Sequence, residues 1–384
     1  MLRMLRRTIE KKVIEFSKQY PVITITGPRQ SGKTTLSKML FKKHPYISLE
    51  NIENRDFAKN DPIGFLNNYP NGAIIDEIQR VPELTSYIQT IVDEKDIAGM
   101  FILTGSQQFE LMSNLTQSLA GRTAIIKLLP FSFREIYQNK TSLDLNEILR
   151  TGFYPRIFDK ELKPFNAMEF YVNTYIERDL RQLINVQDLS KFQIFLKLCA
   201  GRTGQILNMN ALSNDCGVSN NTINKWLSIL ETSYIIKRVQ PFYKNFNKRI
   251  IKAPKLFFLD TGLVSYLLGI SSAKQLEFHP LRGAIFETYV YSELLKNNFN
   301  NSMPDNIYYF RDNKGKEIDF LLDMGLNIRA IEVKSSQTIS SSFFENLKYL
   351  KKISDIEVIA QLIYGGGKNH IRENIKITSW NNIS

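Results

Sequence analysis

Two cysteines, three histidines and two tryptophans are all that this 384-residue chain carries of those types. Cys199 and Cys216 stand in no metal-ligand spacing, and His44, His279 and His370 are too scattered to complete a zinc set. So few thiols exclude a disulfide scaffold and fit a reducing cytoplasm. No apolar run approaches the ~18–20 residues that cross a bilayer, so no membrane partner is expected. The opening residues are basic, as at the start of a signal peptide, but Glu10, Lys11 and Lys12 interrupt any apolar core behind them. A short basic amphipathic helix capping the first domain is expected instead. Acidic charge is in the minority, with 38 Asp and Glu against 50 Lys and Arg. A surplus of +12 suits a polyanionic partner, because each neutralised phosphate releases counterions. An AT-rich genome that favours Lys and Asn codons gives the same composition, so charge alone leaves nucleic acid open.

The length favours two or three domains. Between residues 20 and 130, short β-branched runs alternate with helical stretches, the pattern of an α/β domain with a helix-covered parallel sheet. Strands are expected at 22–26, 46–49, 73–76, 100–104 and 123–129. Pro130 then takes the chain out of the sheet. Residues 136–200 read as a helical lid or linker with a break at Thr151–Pro155. Residues 201–280 read as a helix-turn-helix unit with a hairpin, and 281–384 as a second α/β block. That block is expected to hold a helix at 284–296 and strands at 307–311, 317–322 and 328–334.

The string Gly27-Pro-Arg-Gln-Ser-Gly32-Lys33-Thr34 matches G-x-x-x-x-G-K-[ST] between a strand and a helix expected at 35–41. Glycines let such a loop curl so that backbone N–H groups face phosphate oxygens, and the helix N-terminus adds partial positive charge. Gly27, Pro28, Arg29, Gln30, Ser31, Gly32, Lys33, Thr34 and Thr35 are therefore the expected nucleotide-binding residues, with ATP and Mg2+ as ligands. Lys33 would reach the β- and γ-phosphates, and the Thr34 hydroxyl would join a magnesium shell. About forty residues on, an apolar strand ends in Asp76-Glu77, a pair that packing alone does not explain. Asp76 can hold the magnesium, and Glu77 can orient and deprotonate the attacking water. The plainer alternative is an acidic surface pair. A further apolar strand ends in Thr104-Gly-Ser106-Gln107, where a hydroxyl or amide can contact the γ-phosphate or the lytic water. Ser106 or Gln107 can equally cap the following helix. Arg122 can stabilise charge on a neighbouring subunit's γ-phosphate, which makes a homo-oligomer possible, or it can be a helix C-terminal cation.

Taken together, the Gly27–Thr34 string, Ile74-Ile-Asp-Glu-Ile-Gln79, Leu103-Thr-Gly-Ser106 and Leu119-Ala-Gly-Arg122 resemble the AAA-type ATPases of bacteria and archaea that carry a C-terminal uncharacterised domain. Tyr175-Ile-Glu-Arg-Asp-Leu180 and Phe258-Leu-Asp-Thr-Gly-Leu263 extend the resemblance over most of the chain. It departs at Thr151-Gly-Phe-Tyr-Pro-Arg156, where a glycine pair and an acidic residue belong. The resemblance implies an additional-strand AAA sheet over residues 1–135 and supports Arg122 as an arginine finger; it supplies no substrate.

Residues 211–231 read as helix, glycine turn at Gly217, and a second helix capped by Ser219. Ile223, Trp226, Leu227 and Leu230 form its apolar face. Asn220, Asn221, Asn224, Lys225 and Ser228 would face outward, able to meet base edges or phosphates of DNA. Residues 237–255 then hold seven Lys and Arg and no acid, interleaved with Phe242, Tyr243 and Phe246. A winged-helix-like middle domain is the expectation, serving either DNA binding or plain packing. In the last block, Glu317-Ile-Asp319 and Glu332-Val-Lys334 place charges inside apolar strands, where they need a partner or a metal. Asp319 and Glu332 can ligate magnesium, Lys334 can activate water, and Glu287 on the preceding helix can extend the site. The arrangement resembles the PD-(D/E)xK nucleases and implies a restriction-endonuclease-like fold. A structural ion pair on a fold that does not cut is the alternative. Three functions are thus in play: an ATPase driving or switching action on DNA, a regulatory NTPase recognising a protein partner, and a metal-dependent nuclease gated by ATP.

Overall fold

The computed structural model describes residues 5–106, 118–138, 140, 142–175, 189–242 and 252–383. Gln107, positions 176–180 of the 175–180 motif, and Tyr243 and Phe246 of the basic stretch lie outside the described residues. Contacts divide the chain into two compact units. One comprises residues 1–131, 232–234 and 298–303; the other comprises 132–231, 235–297 and 304–384.

In the first unit, β1 (Val22–Thr26), β2 (Tyr46–Ser48), β3 (Ala73–Asp76), β4 (Phe101–Gly105) and β5 (Thr123–Lys127) form one parallel sheet in the order β2-β3-β4-β1-β5. All five residues of β1 are buried, as a strand covered on both faces requires. On one face, α1 (Glu10–Phe16) and α2 (Lys33–Leu40) bury Val13 and Leu36, beside Ile9, against Ile23, Ile25 and Ile126. On the other, α5 (Leu84–Lys95) lays Leu84, Ile88 and Val92 on Ile75, Phe101 and Leu103, and α3 (Ile52–Asn60) and α4 (Pro62–Asn67) add Ala58 and Phe65 to the same cluster. Ile9 and α1, which carries Lys11 and Lys12, thus form a cap seated on this core. Strand β4 lies between β1 and β3, the additional strand that the family resemblance implies. It brings the carboxyl ends of β1, β4 and β3 side by side, and the candidate site stands on those ends.

Helix α2 starts at Lys33, two residues before the expected position, because Gly32 adopts φ 92° and turns the loop straight into the helix. Strand β5 stops at Lys127, short of the expected 129, and Leu128 N–H returns to the Thr26 carbonyl instead.

The second unit begins with short helices and then α6 (Leu189–Ala200), β6 (Gln205–Ile206), α7 (Met209–Cys216), α8 (Asn220–Thr232), β7 (Ile236–Val239) and β8 (Lys255–Phe258). The three strands make an antiparallel sheet ordered β6-β8-β7. Gly217 closes α7 in the left-handed conformation, and Ile223, Trp226, Leu227 and Leu230 form the buried face of α8. Cys199 and Cys216 are buried free thiols. After α9 (Arg282–Asn300) comes a six-stranded mixed sheet of β9 (Ile307–Arg311), β10 (Glu317–Asp323), β11 (Asn327–Lys334), β12 (Glu357–Tyr364), β13 (His370–Arg372) and β14 (Ile375–Ser379). Its order is β13-β14-β12-β11-β10-β9, with β12 parallel to β11 and β14 and the other pairs antiparallel. The chain is therefore mixed α/β, with a parallel P-loop sheet first and a separate C-terminal mixed sheet. Among the described residues no helix is long and apolar enough to cross a membrane.

Candidate functional site

The loop after β1 is built for close backbone approach. Gly27 sits at φ 152°, and a Cβ there would lie 2.1 Å from the Leu128 carbonyl oxygen. Only glycine fits that crossing. The Lys33 ammonium lies over the curl, donating to the carbonyls of Gly27 (2.9 Å) and Pro28 (2.8 Å). Burial lowers its pKa to about 8, against the upward pull of Glu77 and then Asp76. From behind, the buried Arg7 guanidinium donates to the Ser31 carbonyl (2.8 Å) and the Leu129 carbonyl (2.7 Å), fixing the loop to the chain after β5. Arg29 pairs with Glu50 at 3.1 Å. The Ser31 hydroxyl is buried without a hydrogen-bond partner.

Asp76, at the end of β3, gathers three hydroxyl donors. Thr34 reaches both its oxygens at 3.1 Å, Tyr46 donates at 2.8 Å, and Thr104 on β4 donates to Oδ1. Glu77 follows at φ 58°, a left-handed conformation that costs a non-glycine residue about 1–2 kcal/mol. Its Oε2 accepts from Ser106 Oγ (3.1 Å) and from Gln79 Nε2, and the same amide nitrogen donates to Ser106 Oγ at 3.2 Å. The strained turn thus aims Glu77 across the end of β4 while two donors hold one carboxylate oxygen. Lys33, Thr34, Asp76, Glu77 and Ser106 are brought together here. Tyr46 and Gln79 join them although sequence reasoning gave them no role, and so does Thr104, whose strand end suggested only a contact with the γ-phosphate or the lytic water. Gln79 lay within a quoted motif and Thr104 within a polar strand end; nothing local marked Tyr46.

Arg122 stands apart, half-exposed, with Nε and Nη2 on the two oxygens of Asp93, the latter at 2.8 Å. That bidentate pair raises the guanidinium pKa and lowers the carboxyl's.

The oxygen donors of Thr34 and Asp76 are the hard set that magnesium takes, and the glycine curl with Lys33 and the orphan Ser31 hydroxyl fits a triphosphate. Residues 19–137 match the family model described as AAA domain. That match supports an AAA-type, ATP-binding ATPase in the first unit. Residues 142–274 and 282–383 match two models described as domains of unknown function, DUF8612 and DUF4143. An uncharacterized protein of Mycobacterium tuberculosis is 29% identical over 84% of this chain and 72% of its own. Another, from Haemophilus influenzae, is 21% identical over 90% of each chain. Among solved structures, a Walker-type ATPase of Pyrococcus abyssi aligns with 68% of this chain and 95% of its own, at 14% identity and a TM-score of 0.42.

In the second unit, α8 exposes Asn220, Asn221, Asn224 and Lys225. Part of this face is already engaged. Arg238 on β7 donates to Asn224 Oδ1 (3.1 Å), Ser228 Oγ (3.3 Å) and Glu231, and Asn220 donates to Asn210 (2.7 Å). Lys237 pairs with Asp305 at 3.0 Å. Lys255, counted above with the basic stretch, points into the protein and is 2% exposed.

The carboxylates expected to hold a nuclease metal are likewise engaged. Glu287 accepts from Lys255 at 3.1 Å, Asp319 Oδ2 accepts the Val333 N–H at 2.7 Å, and Glu332 pairs with Lys334 at 2.7 Å. Among the described residues no three His, Cys, Asp or Glu side chains are grouped to hold a metal ion. The expected cage of Glu287, Asp319 and Glu332 is therefore not assembled; each carboxylate has a nitrogen partner instead. At Thr151–Arg156, where the family resemblance breaks, Asp260 accepts the Phe153 N–H at 2.7 Å, which ties the segment's backbone to Asp260.

Proposed function

We propose that the first unit binds ATP with magnesium in the curl of residues 27–35 and hydrolyses it, and that the nucleotide state switches the second unit's action on DNA. What supports the reading is the meeting of Lys33, Thr34 and Asp76 at the carboxyl ends of adjacent strands, beneath a loop only glycine can close. In this reading Lys33 leaves the loop carbonyls for the β- and γ-phosphates. The N–H groups of the loop and of the first turn of α2 face the phosphate oxygens. Thr34 and Asp76 hold the magnesium, with Tyr46 and Thr104 fixing Asp76. When bound, the metal neutralises phosphate charge. Glu77 orients the attacking water and takes its proton, while Ser106 and Gln79 keep the carboxylate aimed. Arg122 exchanges Asp93 for a neighbouring subunit's γ-phosphate in a homo-oligomer. Phosphate release with rising magnesium tests the assignment. Asp76→Asn should shift the magnesium requirement upward by at least about ten-fold, as loss of a charged ligand predicts; an unchanged requirement removes Asp76 from the metal.

The DNA half of the proposal draws on the exposed Asn and Lys side chains of α8 and the hairpin-like β7–β8 pair, a winged-helix-like arrangement. Recognition of a protein partner is the second reading. It is favoured by the internal pairing of Lys237, Arg238 and Lys255, which takes three cations of the basic stretch away from phosphate. Salt separates the two. DNA binding should weaken steeply between about 50 and 200 mM salt and weaken further in Lys225→Ala. Absence of DNA binding at low salt supports the protein reading.

A further inference from the structure

Lys255 is the first residue of β8, yet its side chain is 3% exposed. A lone ammonium in that setting is costly, and the protein meets the cost with carboxylates. Glu287 Oε1 on α9 lies 3.1 Å from Nζ, and Glu317 Oε1 on β10 is also bonded to it. Asp319, two residues along the same strand, adds its charge. We infer that the Lys255 ammonium is the built-in cation of this carboxylate cluster, standing at the point where a divalent metal ion would otherwise touch Glu287 and Glu317 together.

Three observations carry this. Two carboxylates from different elements already converge on one nitrogen, so a cation at that point lies between both. The surrounding cations are matched to the surrounding acids: Arg311 holds Glu317 at 3.0 Å and Lys334 holds Glu332 at 2.7 Å. Glu332 is 4% exposed and its Oε2 is buried without a partner, in the field of Asp319 and Glu287. Burial lowers the Lys255 pKa, but Glu287, Asp319 and Glu317 more than reverse that and hold it above the ordinary lysine value, so the cation is permanent. Burial pushes the Glu287 pKa up against the downward pull of Lys255, so the cluster has little room for further negative charge. With lysine in place the cluster works as an ion-pair lock between β8 and the C-terminal sheet. Without it, four carboxylates face two cations, and the deficit suits a divalent ion bound through oxygen.

The test is titration of the nucleotide-free full chain with Mn2+, followed by electron paramagnetic resonance, counting only binding that Asp319→Asn removes. That criterion sets aside ions taken up near Thr34 and Asp76. Wild type and Asp319→Asn should give the same titration. Lys255→Met should gain a Mn2+ site at least ten-fold tighter than any in wild type, lost again in the Lys255→Met, Asp319→Asn double variant. In thermal unfolding, Mn2+ should raise the Tm of Lys255→Met by more than it raises that of wild type, and the excess should vanish in the double variant. An Asp319-dependent Mn2+ site in wild type would overturn the inference, a result that does not depend on the Lys255 variant folding. So would a folded Lys255→Met that gains none.

Discussion

Glu77→Gln separates nucleotide binding from hydrolysis more cleanly than any other single change at the site. The two side chains have the same shape, and an amide oxygen can still accept from Ser106 Oγ and Gln79 Nε2, the two groups that hold the native carboxylate. The backbone at φ 58° sets the aim of the side chain and is untouched by the substitution. What disappears is the capacity to take a proton from water. A positioned general base is worth about 10²–10⁴ in rate, which is about 3–5 kcal/mol of activation free energy. Neither Lys33 nor Thr34 is hydrogen-bonded to Glu77, so affinity for Mg·ATP should stay within about three-fold, roughly 0.7 kcal/mol. Equilibrium binding of a fluorescent ATP analogue and single-turnover phosphate release, run on the same preparations, read the two quantities independently. Turnover within about three-fold of wild type would refute the role of Glu77. A parallel loss of affinity would show that the carboxylate serves the loop rather than the water.

Lys33 predicts a pH dependence with a definite sign. Its pKa in the free protein, about 8, means that above this pH phosphate must draw a proton into the site. ATP affinity should be level below pH 8 and fall by up to about ten-fold per unit above it; a level profile up to pH 9.5 contradicts the assignment. The same shift makes folding stability rise from pH 8 to 10.5, where the unfolded chain binds the extra proton, and thermal unfolding of the nucleotide-free protein reads it. Arg122→Ala should slow turnover only at protein concentrations that support assembly, and Asp93→Ala, which frees the guanidinium, should not slow it. Wild-type turnover independent of concentration counts against a finger acting across subunits.

The sequence makes the loop legible because its chemistry is contiguous: Gly27 to Thr34 is one curl, and Asp76 is marked by the apolar strand that it ends. The surroundings of those residues depend on strand order. Thr104 reaches Asp76 because β4 lies between β1 and β3, and Tyr46 does so from the sheet edge; neither fact is local to a motif. Lys255 misled for a related reason. Among seven basic residues it reads as part of a solvated hairpin, while the carboxylates that draw it inward lie far along the chain on α9 and β10. Local charge says nothing of burial. In the C-terminal block, β9 was legible residue for residue, and β10 and β11 to within one residue, because period and β-branching are local. Whether its charges cage a metal or pair with one another is decided by geometry between strands.

Binding of Mg·ATP to wild type and to Lys33→Ala, at pH 7 and equal protein concentration, tests the central claim most directly. Saturable, magnesium-dependent binding in wild type that weakens by at least about ten-fold in Lys33→Ala is the predicted result, as loss of a buried charge-assisted contact requires. Equal affinity in the two proteins, or wild-type binding indifferent to magnesium, would contradict it.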